Sequence, residues 1–373
     1  MKAHVLHGIG DLRWEEAEKP VPREAEVLVR VERAGICGSD IPRIYKTGAH
    51  NMPLIPGHEF AGTVVKTGVG TDEKWNGKRV GIFPLIPCGK CPQCKNKRYE
   101  MCTSYSYLGS RTDGGFAEFV RVPEWNLIEL PENVSFEAAA MLEPASVAIH
   151  AIRRVLGKRN LRIQTEKTEE IGMSFWEEYS DIILPKCAAV LGLGTIGLLT
   201  AMHLKAMGVA SVYVLGNKDL QRETAKEFGI PEKDFCDTRS CDAGEWVMDK
   251  THGVGAEVFF ECIGKAESIV QAIDLTAPGG NIMLVGNPAS DIVLPKENYW
   301  KILRRQLTLS GTWNSSFTKE ETDDWHTVLK SAAKGHIQPE LLISHRFALE
   351  DLGEGLEIMR DKTDEYVKIM IKI

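Results

Sequence analysis

The 373-residue sequence contains no hydrophobic run that approaches the roughly 20 residues needed for a membrane-spanning helix. Its first residues also lack the basic segment and apolar core of a secretory signal peptide. The net charge is -7 with acids and bases interspersed, so neither nucleic acid nor an anionic membrane surface is expected as the main partner. These absences predict a cytoplasmic protein with no membrane and no nucleic-acid partner.

The pattern of strands and helices changes once along the chain, whose length fits two domains. Before about residue 150, strand patterns are broken by frequent glycine and proline. From Cys187 to Val285, apolar strands alternate with helical spacing, which predicts a parallel sheet covered on both faces. We therefore expect an α/β protein with a dinucleotide-binding domain at 153–288, inserted into a mainly-β domain formed by 1–152 and 289–373.

Three further segments bear on this division. The closing segment Tyr366 to Ile373 and the segment Ile302 to Ser310 are expected to be strands of the first domain. Residues of about 159–184 have a mixed charge and are expected to form an exposed insertion in the second domain.

Four of the nine cysteines fall within fifteen residues, as C-x2-C-x2-C-x7-C. Zinc prefers four thiolates at tetrahedral corners, and two-residue gaps let one loop supply several of them. A chance cluster is the alternative interpretation. The spacing also fits some iron–sulfur patterns, but Thr103 stands where proline usually follows the last cysteine. We expect a closed, structural zinc site held by Cys88, Cys91, Cys94 and Cys102.

A second set of residues has the chemistry of a catalytic zinc, which needs three protein ligands and one open position. Cys37 and His58 can supply sulfur and nitrogen, and Glu143 or Glu59 a carboxylate. Ser39 can relay the hydroxyl proton, and Asp40 can accept from the second ring nitrogen of His58. Each residue also has an ordinary interpretation: a buried core thiol, a loop histidine, or a glutamate at a helix start. The expected catalytic residues are Ser39, Asp40 and Glu59.

The motif G-x-G-x-x-G spans residues 192–197, directly after an apolar strand and before a helical pattern. In that context it predicts a dinucleotide site, with the pyrophosphate at the helix N-terminus. A plain glycine turn is the alternative. The expected cofactor-binding residues here are Gly192, Gly194, Thr195, Ile196 and Gly197.

Together these motifs resemble the zinc-containing medium-chain dehydrogenases over nearly the whole chain. Residues 37–43, 47–50, 108–118 and 301–305 are similar to the polyol branch of that family. The resemblance implies a GroES-like, mainly-β catalytic domain and a Rossmann, doubly wound cofactor domain. It places the catalytic zinc on Cys37, His58 and Glu143, with Glu59 a fourth ligand or near neighbour. It also implies a homodimer or homotetramer.

The position that should carry an acid for the ribose hydroxyls of NAD is Gly216, followed by Asn217 and Lys218. Loss of the acid removes repulsion against a 2′-phosphate, and Lys218 adds a positive charge. Arg222 can assist, although helix geometry favours a solvent-facing side chain. The triplet is similar to that of NADP-dependent secondary alcohol dehydrogenases of the same family. We therefore expect two zinc ions per chain and NADP(H) in preference to NAD(H).

The expected reaction is hydride transfer between NAD(P) and a secondary alcohol of a polyol or polyol phosphate. Arg43, His50 and Arg111 are candidate substrate residues, because a phosphate needs a cation and arginine offers forked donors. Each can equally be an ordinary surface or structural charge. One alternative function is an NADP-dependent secondary alcohol or carbonyl reductase acting on small unphosphorylated substrates. The other is a non-catalytic zinc- and nucleotide-binding protein.

Overall fold

The computed structural model describes residues 1–157 and 184–373. The chain divides into two compact units, one formed by Met1–Ser146 and Ser315–Ile373 and the other by Val147–Asn314. The insertion expected at about 159–184 lies outside the described residues up to residue 183. Each unit has its own hydrophobic core.

The N-terminal part of the first unit is mainly β-structure with short helices between strands. Its strands are β1 Lys2–Gly8, β2 Asp11–Glu16, β3 Glu26–Ile36, β4 Glu59–Thr67, β5 Arg79–Ile82, β6 Leu85–Ile86, β7 Ser106–Tyr107, β8 Phe119–Pro123 and β9 Leu127–Glu129. Its helices are α1 Asp40–Pro42, α2 Pro92–Lys95, α3 Phe136–Ala140 and α4 Leu142–Leu156, the last of which continues into the second unit. Val27, Val29 and Val31 of β3 alternate into the core, as expected for a half-buried strand.

The second unit contains the alternating elements that the sequence predicts. They are β10 Cys187–Leu191, α5 Thr195–Ala206, β11 Ser211–Gly216, α6 Asp219–Glu227, β12 Phe235–Asp237, α7 Ala243–Lys250, β13 Ala256–Glu261, α8 Ala266–Leu275, β14 Thr276–Leu284, α9 Lys296–Arg305 and β15 Thr308–Gly311. The six strands form one parallel sheet in the order β12-β11-β10-β13-β14-β15. This order confirms the doubly wound fold class.

The C-terminal part returns to the first unit through α10 Asp324–Ala333, β16 Ile343–Ala348, α11 Leu352–Asp361 and β17 Lys368–Lys372. Strand β17 pairs antiparallel with β3, Ile369 opposite Ile36, and joins a seven-stranded sheet. The expectation that the closing segment is a strand of the first domain is therefore confirmed.

The assignment of Ile302 to Ser310 to the first domain is wrong. Residues 302–305 belong to helix α9, and β15 pairs in parallel with β14 in the six-stranded sheet. Arg305 Nη1 donates to the carbonyl oxygens of Asp274 and Thr276, which holds α9 against the end of α8. Parallel pairing joins segments distant in sequence, so an apolar run alone does not show which sheet it enters.

Within residues 1–157 and 184–373, the structure has no helix that is both long enough and apolar enough to cross a membrane.

Candidate active site

The four cysteines of the Cys88–Cys102 loop converge, with their sulfur atoms all within 4.8 Å of one another. The Sγ–Sγ distances are 3.5 Å for Cys91–Cys94, 3.9 Å for Cys88–Cys94 and 4.0 Å for Cys91–Cys102. Four thiolates held about 2.3 Å from a zinc ion at tetrahedral corners lie about 3.8 Å apart. The cluster therefore fits a four-sulfur zinc site without further rearrangement of the loop.

The charge distribution around this loop also favours a bound cation. Backbone N–H groups of Cys94 and Thr103 lower the pKa of the Cys91 thiol to about 5. Burial and the neighbouring sulfurs raise the pKa of Cys94 to about 12. Four thiolates so close together need a positive charge between them, because their mutual repulsion otherwise keeps some of them protonated.

The second cluster lies where two paired strands meet. Strand β3 ends at Ile36 and β4 begins at Glu59, and their pairing sets Gly35 opposite Glu59. The side chains of Cys37, His58 and Glu59 thereby converge, with one ligand atom of each within 4.8 Å of the others. Sulfur, nitrogen and carboxylate oxygen are the donor types that a catalytic zinc site uses.

Asp40 lies beneath this cluster and is completely buried. Its carboxylate accepts from the Cys37 N–H at 3.0 Å and from Arg43 Nη1 at 2.5 Å. Oδ1 lies 3.4 Å from His58 Nδ1, a buried nitrogen with no hydrogen-bond partner among the described residues. Asp40 is thus the acceptor that could fix the ring of His58 if its other nitrogen held a metal, as neighbouring carboxylates do for metal-binding histidines.

The electrostatics of the cluster attract positive charge. Burial alone would lower the pKa of His58, but the charges of Asp40 and Cys37 outweigh it and raise that pKa well above its usual value. Burial would likewise raise the pKa of Asp40, but His58 and Arg43 lower it. Ser39 Oγ donates to Cys37 Sγ at 3.4 Å, which places a hydroxyl beside the thiol.

Glu143, near the start of α4, is not part of the closest three-residue group. Its carboxylate is buried, and Oε1 accepts from the hydroxyl of Tyr107 at 3.1 Å. Burial and the charge of Glu59, partly offset by His58, raise the pKa of Glu143 to about 7. Glu143 therefore lies beside the cluster, whereas Glu59 lies within it.

Two residues at this site are absent from the sequence-based expectations: Lys368 and Tyr107. Lys368 Nζ forms a buried ion pair with Glu59 and donates to the carbonyl oxygen of Ile36 at 3.1 Å. A lysine within the apolar closing strand is the signal that could have indicated it, because buried charges require a partner. The ring of Tyr107 lies edge-on to His58, with ring centroids 5.8 Å apart.

The three candidate substrate residues differ in their contacts. Arg43 follows α1 and is engaged with Asp40. His50 is exposed, and the amide of its neighbour Asn51 donates to the Arg111 carbonyl at 3.1 Å. Arg111 stacks its guanidinium on Tyr105, 4.4 Å from the ring centroid, and donates to the Tyr105 carbonyl at 3.3 Å. The loops of His50 and Arg111 are therefore adjacent.

The glycine motif in the second unit has the geometry of a dinucleotide-binding turn. Gly192 has φ +94°, and a Cβ at Gly197 would lie 2.0 Å from the Gly192 carbonyl oxygen. A Cβ at Gly194 would meet nothing within 4 Å, so the backbone there is open to close approach. Helix α5 begins at Thr195, which directs its first N–H groups toward this opening.

The carboxyl end of β11 carries Gly216, which lies opposite Asp237 of β12 in the sheet register. The backbone N–H of Asn217 donates to the Gln221 side chain at 3.0 Å. Lys218 precedes α6, and two arginines near it bind the Asp237 carboxylate: Arg222 at 2.5 Å and Arg239 at 2.7 and 2.9 Å. The expectation that Arg222 faces solvent is wrong, because this ion pair turns its guanidinium toward β12.

Two family models match the chain. The alcohol dehydrogenase GroES-like domain matches residues 23–132, and the zinc-binding dehydrogenase domain matches residues 195–334. Galactitol 1-phosphate 5-dehydrogenase of Escherichia coli strain K12 is 30% identical over 357 residues, covering 95% of each chain. Sorbitol dehydrogenase of Bacillus subtilis strain 168 is 27% identical, covering 100% of this chain and 97% of its own.

Solved structures agree with these sequence matches. The crystal structure of galactitol-1-phosphate dehydrogenase from Escherichia coli superposes with a TM-score of 0.85 at 29% identity, covering 100% of both chains. A zinc-binding dehydrogenase from Sinorhizobium meliloti 1021 bound to NADP has a TM-score of 0.83 at 26% identity, covering 100% of this chain and 99% of its own. An alcohol dehydrogenase from Escherichia coli CFT073 with NADH has a TM-score of 0.82 at 26% identity, with the same coverage.

Sequence identity over almost the whole chain, both domain models and the fold lead to one conclusion. This chain belongs to the zinc-dependent medium-chain alcohol and polyol dehydrogenases, a family of oxidoreductases that use zinc and a nicotinamide cofactor.

Proposed function

We propose that this enzyme transfers a hydride between NADP(H) and a secondary alcohol carbon of a polyol phosphate. The observation that carries the proposal is the convergence of Cys37, His58 and Glu59 beside the hydroxyl of Ser39. A relative with 30% identity is a galactitol 1-phosphate 5-dehydrogenase, which supports a phosphorylated polyol as substrate.

Each residue of the cluster has a separate proposed role. Cys37, His58 and a carboxylate from Glu59 or Glu143 would hold a zinc ion, and Asp40 would orient His58. When bound, zinc polarises the alcohol oxygen and the nicotinamide accepts the hydride. Ser39 accepts the proton of the substrate hydroxyl and gives up its own proton toward solvent. It thereby acts as a proton relay in general acid–base catalysis.

A second zinc ion is proposed at the loop of Cys88, Cys91, Cys94 and Cys102, which gives two zinc ions per chain. Four sulfur ligands leave no open position for water or substrate, so this site is structural. Its contribution is to the stability of the loop and not to the reaction.

The preference for NADP(H) over NAD(H) rests on the end of β11. Gly216 offers no carboxylate for ribose hydroxyls, and a Cβ there would lie 2.7 Å from Gln221 Oε1. Asp237 is bound by Arg222 and Arg239 and so does not present an unpaired negative charge. Arg222 also pairs with Glu232, and Arg239 with Asp219, so these arginines mainly neutralise the neighbouring acids. Lys218 is then the cation proposed for the 2′-phosphate, with Arg239 as a second donor.

Arg43, His50 and Arg111 are proposed to serve the substrate phosphate. Arg43 is the strongest of the three, because it lies next to Asp40 and six residues from Cys37. Its ion pair with Asp40 also gives it a structural role. The adjacency of the His50 and Arg111 loops supports their acting together.

A second candidate function is an NADP-dependent secondary alcohol or carbonyl reductase that acts on small unphosphorylated substrates. The residues Gly216, Asn217 and Lys218 favour it. The third alternative, a non-catalytic protein, is not retained because the chain belongs to an enzyme family.

We also propose a homodimer, or a homotetramer built from such dimers. Strand β15 lies at the edge of the six-stranded sheet, and α9 exposes Tyr299, Trp300 and Leu303. An exposed apolar face on the helix that precedes an edge strand supports a surface that another chain covers. Sedimentation of the intact protein tests this, and a monomer at micromolar concentration contradicts it.

Initial rates followed at the nicotinamide absorbance test the proposed function. Galactitol 1-phosphate, galactitol and 2-butanol are each supplied with NAD and with NADP. We expect the highest kcat/KM with the phosphorylated hexitol and NADP. Activity confined to 2-butanol would establish the second candidate function instead.

A further inference from the structure

Tyr107 is a phenol inside the active-site cluster for which the proposed chemistry has no role. It ends the short strand β7, which pairs with β6 through Leu85 opposite Tyr107. Its hydroxyl donates to Glu143 Oε1 at 3.1 Å, and its ring lies edge-on to His58 at an angle of 63°. It therefore contacts one candidate zinc ligand by a hydrogen bond and another by its ring.

The position of this phenol is determined from several sides. Tyr105 packs edge-on against it, with ring centroids 6.2 Å apart. Arg111 in turn covers the Tyr105 ring and donates to the Tyr105 carbonyl. The strand pairing and this stack fix the direction in which the hydroxyl points, so its hydrogen bond is preorganised.

In this hydrogen bond the phenol is the donor and the carboxylate is the acceptor. A neutral phenol has one O–H to donate, and Glu143 Oε1 is the acceptor within reach.

We propose that Tyr107 is a positioning residue for Glu143: its O–H holds Oε1 and thereby leaves Oε2 to bind the metal. This inference rests on the proposed zinc site with Glu143 as one of its carboxylate ligands. Hydrogen bonds from neighbouring groups fix the orientation of a ligating carboxylate, and their loss typically lowers metal affinity about 10- to 100-fold. Tyr107 thus acts on the metal through Glu143 and not by contact with the substrate.

Tyr107→Phe tests this, because it keeps the ring against His58 and removes only the hydroxyl. Zinc affinity is measured on the purified full-length enzyme by competition with a chromophoric chelator, without reference to activity. The more weakly held zinc should be released about tenfold more easily from Tyr107→Phe, while the four-sulfur zinc is unchanged. Tyr105→Phe, the matched control in the same stack, should behave as wild type.

A double-mutant cycle separates positioning from general loosening of the site. If Tyr107 acts through Glu143, Tyr107→Phe should add little zinc loss in a Glu143→Gln background. Equal effects of Tyr107→Phe in both backgrounds would overturn the inference, as would unchanged zinc affinity. If wild type and Glu143→Gln release zinc identically, the proposed Glu143 ligand fails, which is a different result from failure of Tyr107 alone.

Discussion

Lys368 and Glu59 form an ion pair in which each side chain is only 2% exposed. They lie 309 residues apart in the sequence and meet because β17 and β4 flank β3. Gly35 of β3 permits the approach, since a Cβ there would lie 2.4 Å from Glu59 Oε2 and 2.8 Å from Lys368 Cε. The C-terminal strand therefore contributes a charge to the candidate active site.

Replacing Lys368 by Met should destabilise the enzyme, because it leaves the buried Glu59 carboxylate without its partner. Removal of one member of a buried pair costs about 3–5 kcal/mol, measurable by urea unfolding. Lys372→Met, at an exposed position of the same strand, should have little effect. The double variant Lys368→Met/Glu59→Gln should recover part of the loss, and additive losses would contradict the pairing.

Replacing Cys102 by Ser should remove one of the two zinc ions proposed per chain and lower the melting temperature. Three sulfur ligands remain, and the loop loses the closed coordination that orders it. Zinc per chain is measured by mass spectrometry of the metal after dialysis. Cys187→Ser, outside both clusters, is the control. A variant that keeps both zinc ions would rule out the four-sulfur site.

Replacing Arg239 by Ala should weaken NADPH binding about tenfold, which corresponds to about 1.4 kcal/mol. The substitution removes a cation near Gly216. The carboxylate of Asp237 then loses one of its two arginine partners, and its negative charge repels a 2′-phosphate. NADH affinity should be unchanged or slightly higher. Fluorescence titration of both dinucleotides measures this, with Arg13→Ala, a similar Arg–Asp pair in the other unit, as the control. Equal loss for both dinucleotides would contradict the 2′-phosphate role.

His4 should make stability depend on pH below neutrality. Burial, partly offset by its hydrogen bond to the Leu349 carbonyl at 2.7 Å, lowers the pKa of His4 below its usual 6.5. The unfolded chain then binds the proton more readily than the folded chain. The contribution of His4 to the free energy of unfolding is therefore complete above pH 6.5 and is lost as the pH falls through the folded-state pKa. The slope cannot exceed about 1.4 kcal/mol per pH unit.

Urea unfolding between pH 5 and pH 7.5 measures this dependence. His4→Gln should retain a donor and show a shallower decline than wild type. His252→Asn, which replaces an exposed imidazole, should keep the wild-type slope. Parallel curves for wild type and His4→Gln would show that His4 does not titrate differently on unfolding.

The local motifs carry most of what the sequence can predict here. The cysteine loop and the glycine turn each lie within fifteen residues, so their spacing alone determines which atoms can meet. The set of Cys37, Ser39, Asp40, His58 and Glu59 comes from two neighbouring segments, and family resemblance supplied the connection. The alternation from β10 to β14 likewise predicts the parallel sheet correctly.

Contacts between distant segments account for what the sequence did not predict. Tyr107 and Lys368 reach the cluster from a short strand and from the C-terminus, and neither has a local motif. Glu59 lies in the group with Cys37 and His58, and Glu143 lies beside it. Family resemblance names Glu143 as a ligand and Glu59 as a fourth ligand or near neighbour, and the choice between them stays a prediction. Segment 302–310 was assigned to the wrong domain because a parallel edge strand is defined by its distant partner.

The central claim is that the cluster of Cys37 and His58 is a zinc site that catalyses alcohol-dependent reduction of the dinucleotide. The most direct test is the rate of polyol-dependent NADP reduction in the native, chelator-treated and zinc-reconstituted enzyme, with zinc per chain measured in each sample. We expect activity to fall with the loss of one zinc per chain, to return when zinc is restored, and to be absent in His58→Gln. Full activity after removal of that zinc, or in His58→Gln, would contradict the account.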